Sequence, residues 1–67
     1  MKIDIYTGEK LLNSAEADVL SDAITIGQLR VKNFKLLGFK NVQYKFRVNN
    51  FIYTGDDESN HIIYPMD

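Results

Sequence analysis

The chain contains no cysteine and no tryptophan, and it has only one histidine and one proline among 67 residues. The lack of cysteine excludes both a disulfide framework and a thiolate metal site, and His61 alone cannot build an imidazole cluster. We therefore predict neither a metal nor any other cofactor. A domain of this length buries only about 60% of the surface that its unfolded chain exposes. Without cross-links, self-association or binding to a larger partner becomes a serious option.

Long apolar runs are also missing, since no stretch approaches the roughly 20 residues that a membrane span needs. The first six residues alternate in polarity and include an early acid, which does not fit a signal peptide. We therefore expect a cytoplasmic protein without membrane association, folded as one compact domain over residues 1–67. Frequent Ile and Asn, and more Lys than Arg, are typical of an AT-rich gene such as a small bacterial or phage gene.

Acidic residues are absent from the middle of the chain, between residues 23 and 55, whereas six of the eight cations lie between residues 30 and 47. The nine carboxylates flank this segment on both sides. A chain with a net charge of only −1 is thus electrically divided along its length. Such a division favours a cationic surface that faces an anionic partner.

Residues 42–48 give the clearest secondary-structure signal, because apolar and polar side chains alternate strictly. Asn49 and Asn50 follow, and Asn tolerates the positive φ that a two-residue hairpin turn requires. Residues 51–54 would form the return strand. Pairing Val48 with Phe51 puts the apolar residues of both strands on one face, and a slip of one residue would destroy this agreement.

The rest of the chain predicts a small α+β domain, with an antiparallel sheet of four to five strands and one helix. Residues 2–6 and 61–64 are interpreted as the first and last strands, and residues 29–32 as a further strand that resumes at residues 34–36 after a bulge. The helix is predicted over residues 14–25, where Asn13 and Glu16 resemble a capping box. The residues from 15 to 19 also alternate, apolar with acidic, as Ala15, Glu16, Ala17, Asp18 and Val19, which keeps an all-β small barrel open as the alternative.

The cations define the predicted binding surface. If the strand at 29–32 neighbours the strand at 42–48, four cations share one sheet face, and two more extend it. The candidate binding residues are Arg30, Lys32, Lys35, Lys40, Lys45 and Arg47, together with Phe34 as an aromatic beside them. Exposed aromatics next to Arg and Lys are typical of the centre of a protein interface. The aromatics of residues 42–48 face the opposite way, which leaves nucleic acid only a backbone-phosphate mode.

No catalytic constellation is recognisable. His61 has no nucleophile and orienting partner at a familiar spacing, there is no phosphate-binding glycine loop, and the run Asp56, Asp57 and Glu58 does not match a calcium loop. We predict a non-enzymatic interaction protein that binds and modulates a larger protein. A nucleic-acid accessory protein is the alternative, and a structural subunit of a virion or another assembly, including a homo-oligomer, is a third.

Overall fold

The computed structural model describes residues 1–63, which form one helix and a five-stranded antiparallel sheet. Its elements in chain order are β1 (Lys2–Thr7), β2 (Lys10–Glu16), α1 (Leu20–Leu36), β3 (Val42–Val48), β4 (Phe51–Gly55) and β5 (Asn60–Ile63). The strands lie in the order β2-β1-β3-β4-β5. The predicted α+β class is confirmed. The alternative of an all-β barrel is wrong, because the sheet stays open between β2 and β5.

The β3–β4 hairpin forms in the predicted register. Val48 pairs with Phe51 and Phe46 with Tyr53. Asn49 adopts a φ of 55°, the left-handed conformation that the two-residue turn requires. The alternation of residues 42–48 was therefore sufficient to fix both the strand and its pairing.

The first strand is confirmed as β1, which lies between β2 and β3 and pairs with both in the antiparallel sense. The last strand is β5, which begins at Asn60, and the predicted Tyr64 falls outside the described residues. β5 pairs with β4 in the antiparallel sense, and residues 56–59 form the short turn that connects the two strands.

The predicted positions of the helix and of one strand are wrong. Asn13 and Glu16 do not form a capping box, because both belong to β2, and the helix instead begins at Leu20 after Val19 as its N-cap. The segments predicted as a bulged strand, residues 29–32 and 34–36, form the second half of α1. Four alternating residues are too few to distinguish a strand from one turn of a helix, and here the helical spacing of the buried residues prevails.

The core lies between α1 and the centre of the sheet. The buried positions of the helix are Ala23, Gly27 and Val31, spaced four residues apart on one stripe. They face the alternate residues of β1 and β3 that are also buried: Ile3, Ile5, Val42, Tyr44 and Phe46. A Cβ atom built on Gly27 would lie 2.7 Å from Cγ of Tyr44. Glycine at this position therefore lets the helix backbone settle directly on the tyrosine ring.

The turn between β4 and β5 is organised by the carboxylate of Asp56. Its Oδ1 accepts hydrogen bonds from the backbone N–H of Glu58 at 2.9 Å, from the N–H of Ser59 at 2.9 Å and from the hydroxyl of Ser59 at 3.0 Å. The bond from Glu58 is the main cause that lowers the pKa of Asp56 below its ordinary value, and those from Ser59 add to it.

Because of this turn, we expect the free energy of unfolding to decrease at acidic pH. A carboxylate whose pKa is lower in the folded state stabilises the fold above its unfolded pKa of about 3.9, and this stabilisation is lost as the pH falls through the folded pKa. We expect Asp56→Asn to be less stable than the wild type at pH 7, and the difference to shrink at about pH 2.5. Urea unfolding at both pH values measures it. A difference independent of pH would show that the charge of Asp56 does not stabilise the turn.

Candidate interaction surfaces

The predicted binding residues divide between the two sides of the sheet. Lys45 and Arg47 are exposed on β3 and alternate with the buried Tyr44 and Phe46, so they project to the face that points away from α1. We call this the open face. Among residues 1–63, no element covers it.

The other predicted residues lie on the helical side. Arg30, Lys32, Phe34 and Lys35 belong to α1, and Lys40 belongs to the loop that leads into β3. The prediction that four cations share one sheet face is therefore wrong, since it depended on a strand at residues 29–32 that is helical. Two separate cationic groups replace it.

Two of the helical cations hold α1 against the sheet. Arg30 donates a hydrogen bond of 2.6 Å to Oδ1 of Asn13 on β2. Lys35 donates one of 2.7 Å to Oδ1 of Asp57 in the β4–β5 turn, and this contact raises the pKa of Lys35. In each pair the cation is exposed and its partner is half-buried, so solvent screens the contact and each stabilises the fold only modestly. Within residues 1–63, the ammonium groups of Lys32 and Lys40 have no hydrogen-bonded or ionic partner.

Large apolar side chains are exposed around the C-terminal end of α1. We call Leu29, Leu36, Leu37 and Phe39 the leucine patch. Leu36 and Leu37 are 77% and 74% exposed, and Leu29 is 57% exposed. Leu29 and Leu36 are seven residues apart and therefore lie on the same stripe of the helix, two turns from each other. Single exposed leucines are ordinary, but a group of them marks an interaction surface.

A depression of about 280 Å³ adjoins the leucine patch and separates α1 from β2. Its walls combine apolar and polar side chains: Asn13, Leu29, Arg30, Asn33, Phe34 and Leu37. Phe34 lines this depression and is partly buried. Its ring makes an edge-to-face contact with Phe39, with ring centroids 5.4 Å apart. The predicted aromatic Phe34 thus lies beside cations, although on a helix rather than on a bulged strand.

Sequence reasoning missed one aromatic on the open face. Tyr6 is not among the predicted binding residues, but its ring lies on the open face with Nζ of Lys45 at 5.8 Å from its centroid. The Tyr6 hydroxyl lies 3.3 Å from Oγ1 of Thr54 and donates to Oε1 of Gln43 at 3.4 Å. The alternation of Ile3 and Ile5 in β1 carried the signal, because it assigns Tyr6 to the face opposite the two isoleucines.

The remaining candidate chemistry is sparse. His61 is exposed on β5, opposite Thr54 of β4 and on the open face. Among the described residues, no three His, Asp or Glu side chains come together where they could hold a metal ion. In the same part of the chain, no helix is both long enough and apolar enough to cross a membrane.

Comparison with known proteins yields no relative: no family model, no curated protein and no solved structure matches this chain.

Proposed function

We propose that this protein is a non-enzymatic interaction protein that binds an acidic segment of a larger protein through the leucine patch and thereby modulates it. The observation that carries the proposal is the exposure of Leu29, Leu36 and Leu37 beside cations. Burial of these side chains in a complex would remove a large apolar area from water, at about 25 cal/mol per Å².

The charges around the leucine patch favour an acidic partner over a second copy of the chain. Arg30 flanks the leucine stripe on one side and Lys32 on the other, and α1 has no acid after Asp22. The carboxylates of the β4–β5 turn lie near Lys35, and Asp57 is already paired with it. A second copy docked symmetrically at the middle of this stripe would bring like charges together, which is unfavourable. Carboxylates of a different protein would instead pair with Lys32 and Lys40, whose ammonium groups have no partner within residues 1–63.

Substitution of the leucines tests the proposal. We expect the double variant Leu29→Ser/Leu36→Ser to bind the partner at least about tenfold more weakly, which corresponds to a loss of about 1.4 kcal/mol shared between two apolar side chains at the centre of the interface. The partner is first captured from a lysate of the source cells, identified and purified. Its affinity for each variant is then measured by titration at low and high salt.

The matched control is Leu11→Ser/Val19→Ser, which removes apolar side chains that are 57% and 50% exposed elsewhere on the surface. The control should bind like the wild type. All these side chains are exposed, so three of the four substitutions should each change the free energy of unfolding by no more than about 0.5 kcal/mol. Val19→Ser should stabilise the control by roughly 1 kcal/mol, because serine caps the N-terminus of α1 and valine does not. Equal affinity of the leucine variant and the control for the purified partner would overturn the assignment of the surface.

A further inference from the structure

The open face carries a second, independent group of residues suited to a ligand. It presents the side chains of β1, β3 and β4 that alternate with the core, and these combine one aromatic ring with several cations. The exposed cations here are Lys2, Lys45 and Arg47. None of them forms an ion pair of 4.0 Å or less with a carboxylate of residues 1–63.

Two adjoining depressions cross this face. The larger, of about 400 Å³, is lined by Asp4, Tyr6, Gly8, Glu9, Leu11 and Lys45. The smaller, of about 260 Å³, is lined by Lys2, Asp4, Lys45, Phe46, Arg47 and Ile52. Asp4 and Lys45, which pair across β1 and β3, line both depressions and mark where the two adjoin. We call the two depressions together the groove; Tyr6 lines one of them and Arg47 the other.

The two ends of the groove differ in chemistry. At one end, Tyr6 offers a ring face, and the carboxylate of Glu9 can accept hydrogen bonds from exocyclic amino groups. At the other end, Lys2 and Arg47 present positive charge without an ionic partner among the described residues. Lys45 and Asp4 lie between the two ends, and the Asp4 carboxylate already accepts a hydrogen bond of 2.9 Å from the Ser14 hydroxyl. An aromatic ring that adjoins a row of cations is the combination that binds single-stranded nucleic acid, since the bases stack and the phosphates pair with the cations.

We propose that the open face binds single-stranded nucleic acid, with a base stacked on Tyr6 and the neighbouring phosphates against Lys2, Lys45 and Arg47. In this structure, Lys45 lies over the Tyr6 ring. Its flexible four-carbon side chain lets the ammonium group move from the ring to a phosphate. A duplex does not fit this arrangement, because its bases are already stacked and cannot reach the tyrosine. This site is distinct from the leucine patch, which lies on the helical side of the sheet.

Binding of fluorescently labelled 12-nucleotide DNA and RNA of mixed sequence, single-stranded and duplex, tests the proposal by anisotropy. We expect the single strands to bind more tightly than the duplexes. Three phosphate contacts predict that affinity falls roughly fifteenfold between about 50 and 200 mM salt. Absence of single-strand binding at the lower salt concentration would overturn the proposal, as would a free mononucleotide that competes as well as the 12-mer.

Two charge-reversed double variants distinguish binding in the groove from general electrostatic attraction of nucleic acid to the protein. Lys45→Glu/Arg47→Glu should lose at least tenfold in affinity, whereas Arg30→Glu/Lys32→Glu, with the same change of charge on α1, should bind like the wild type. Tyr6→Leu should weaken binding roughly tenfold, and Tyr6→Phe, which keeps the ring, should not. Equal losses in the two charge variants, or no loss in Tyr6→Leu, would show that the groove is not the site. Circular dichroism of each variant verifies that the fold is retained.

Discussion

Replacing Tyr44 by alanine is expected to lower the free energy of unfolding by about 3–5 kcal/mol, the usual cost of truncating a buried aromatic side chain. The Tyr44 side chain is fully buried and stacks on Phe46 with ring centroids 6.0 Å apart. At 0.05–0.15 kcal/mol per residue, a chain of 67 residues has a total stability of roughly 3–10 kcal/mol. The variant should therefore lose roughly a third or more of its stability, which urea unfolding followed by far-ultraviolet circular dichroism measures.

Tyr44→Phe isolates the hydroxyl from the ring. The hydroxyl donates a hydrogen bond of 2.7 Å to Oδ1 of Asn60, so its removal should cost about 1 kcal/mol. Burial is the main cause that raises the pKa of Tyr44, and the charge of Asp56 adds to it. If alanine and phenylalanine destabilised the protein equally, the ring would not be the main stabilising part of the side chain.

Gly27→Leu is expected to destabilise the protein by at least about 3 kcal/mol, the upper part of the range for overpacked cores. The first added atom would already lie 2.7 Å from Cγ of Tyr44 and 2.8 Å from Cδ1. Neither partner can move away easily, because one is the helix backbone and the other is the base of a buried ring. Urea unfolding measures the loss, and Gly27→Ala should be intermediate, since the gain in helix propensity of up to about 1 kcal/mol offsets part of the clash.

Thr25→Leu is the matched control for this substitution. Thr25 is exposed on the same helix, and within residues 1–63 its hydroxyl donates a hydrogen bond only to the Ser21 carbonyl oxygen, at 2.9 Å. Leucine there should change stability by no more than about 0.5 kcal/mol. A comparable loss at both positions would mean that leucine disturbs α1 itself and that the contact between Gly27 and Tyr44 is not the cause.

The sheet was predictable where one face is buried and the other is exposed. In β3, three side chains at alternate positions are buried, and the polar residues that alternate with them, Gln43, Lys45 and Arg47, are exposed. Only one register with β4 keeps the apolar side chains together, so the hairpin followed from the sequence. β2 gave no such signal, because it is an edge strand with no fully buried residue and has a bulge beside Ile5.

The helix was misplaced because its buried stripe is made of small residues. Ala23 and Gly27 contribute little to an apolar pattern, whereas the prominent leucines, Leu29 and Leu36, are exposed. Amphipathic patterns assume that large apolar residues lie inside. The feature that misled the secondary-structure prediction is the same one that marks the proposed protein-binding surface.

The candidate surfaces were only partly predictable, because residue types are visible in the sequence and the contacts between elements are not. The seven residues were identified by type, but their grouping depended on tertiary structure. Lys45 and Arg47 were placed correctly on the outer face of their strand, and Tyr6 was not recognised beside them. Which elements lie next to one another is decided by long-range pairing, such as Asp4 with Lys45, and no local spacing encodes it.

The position of β1 in the sheet has a consequence for how the chain folds. β1 with β2, and β3 with β4 and β5, are two locally connected units whose strands can pair as soon as they are synthesised. The strand pairs that join them link residues 35 or more positions apart, such as Thr7 with Val42. Synthesis of the residues between them, at about 5–20 residues per second, is far slower than hairpin formation, which takes about 1–10 μs. On the ribosome, the first hairpin must therefore wait with one edge uncovered until β3 emerges, so the speed of translation through α1 determines how long that edge is open to other chains.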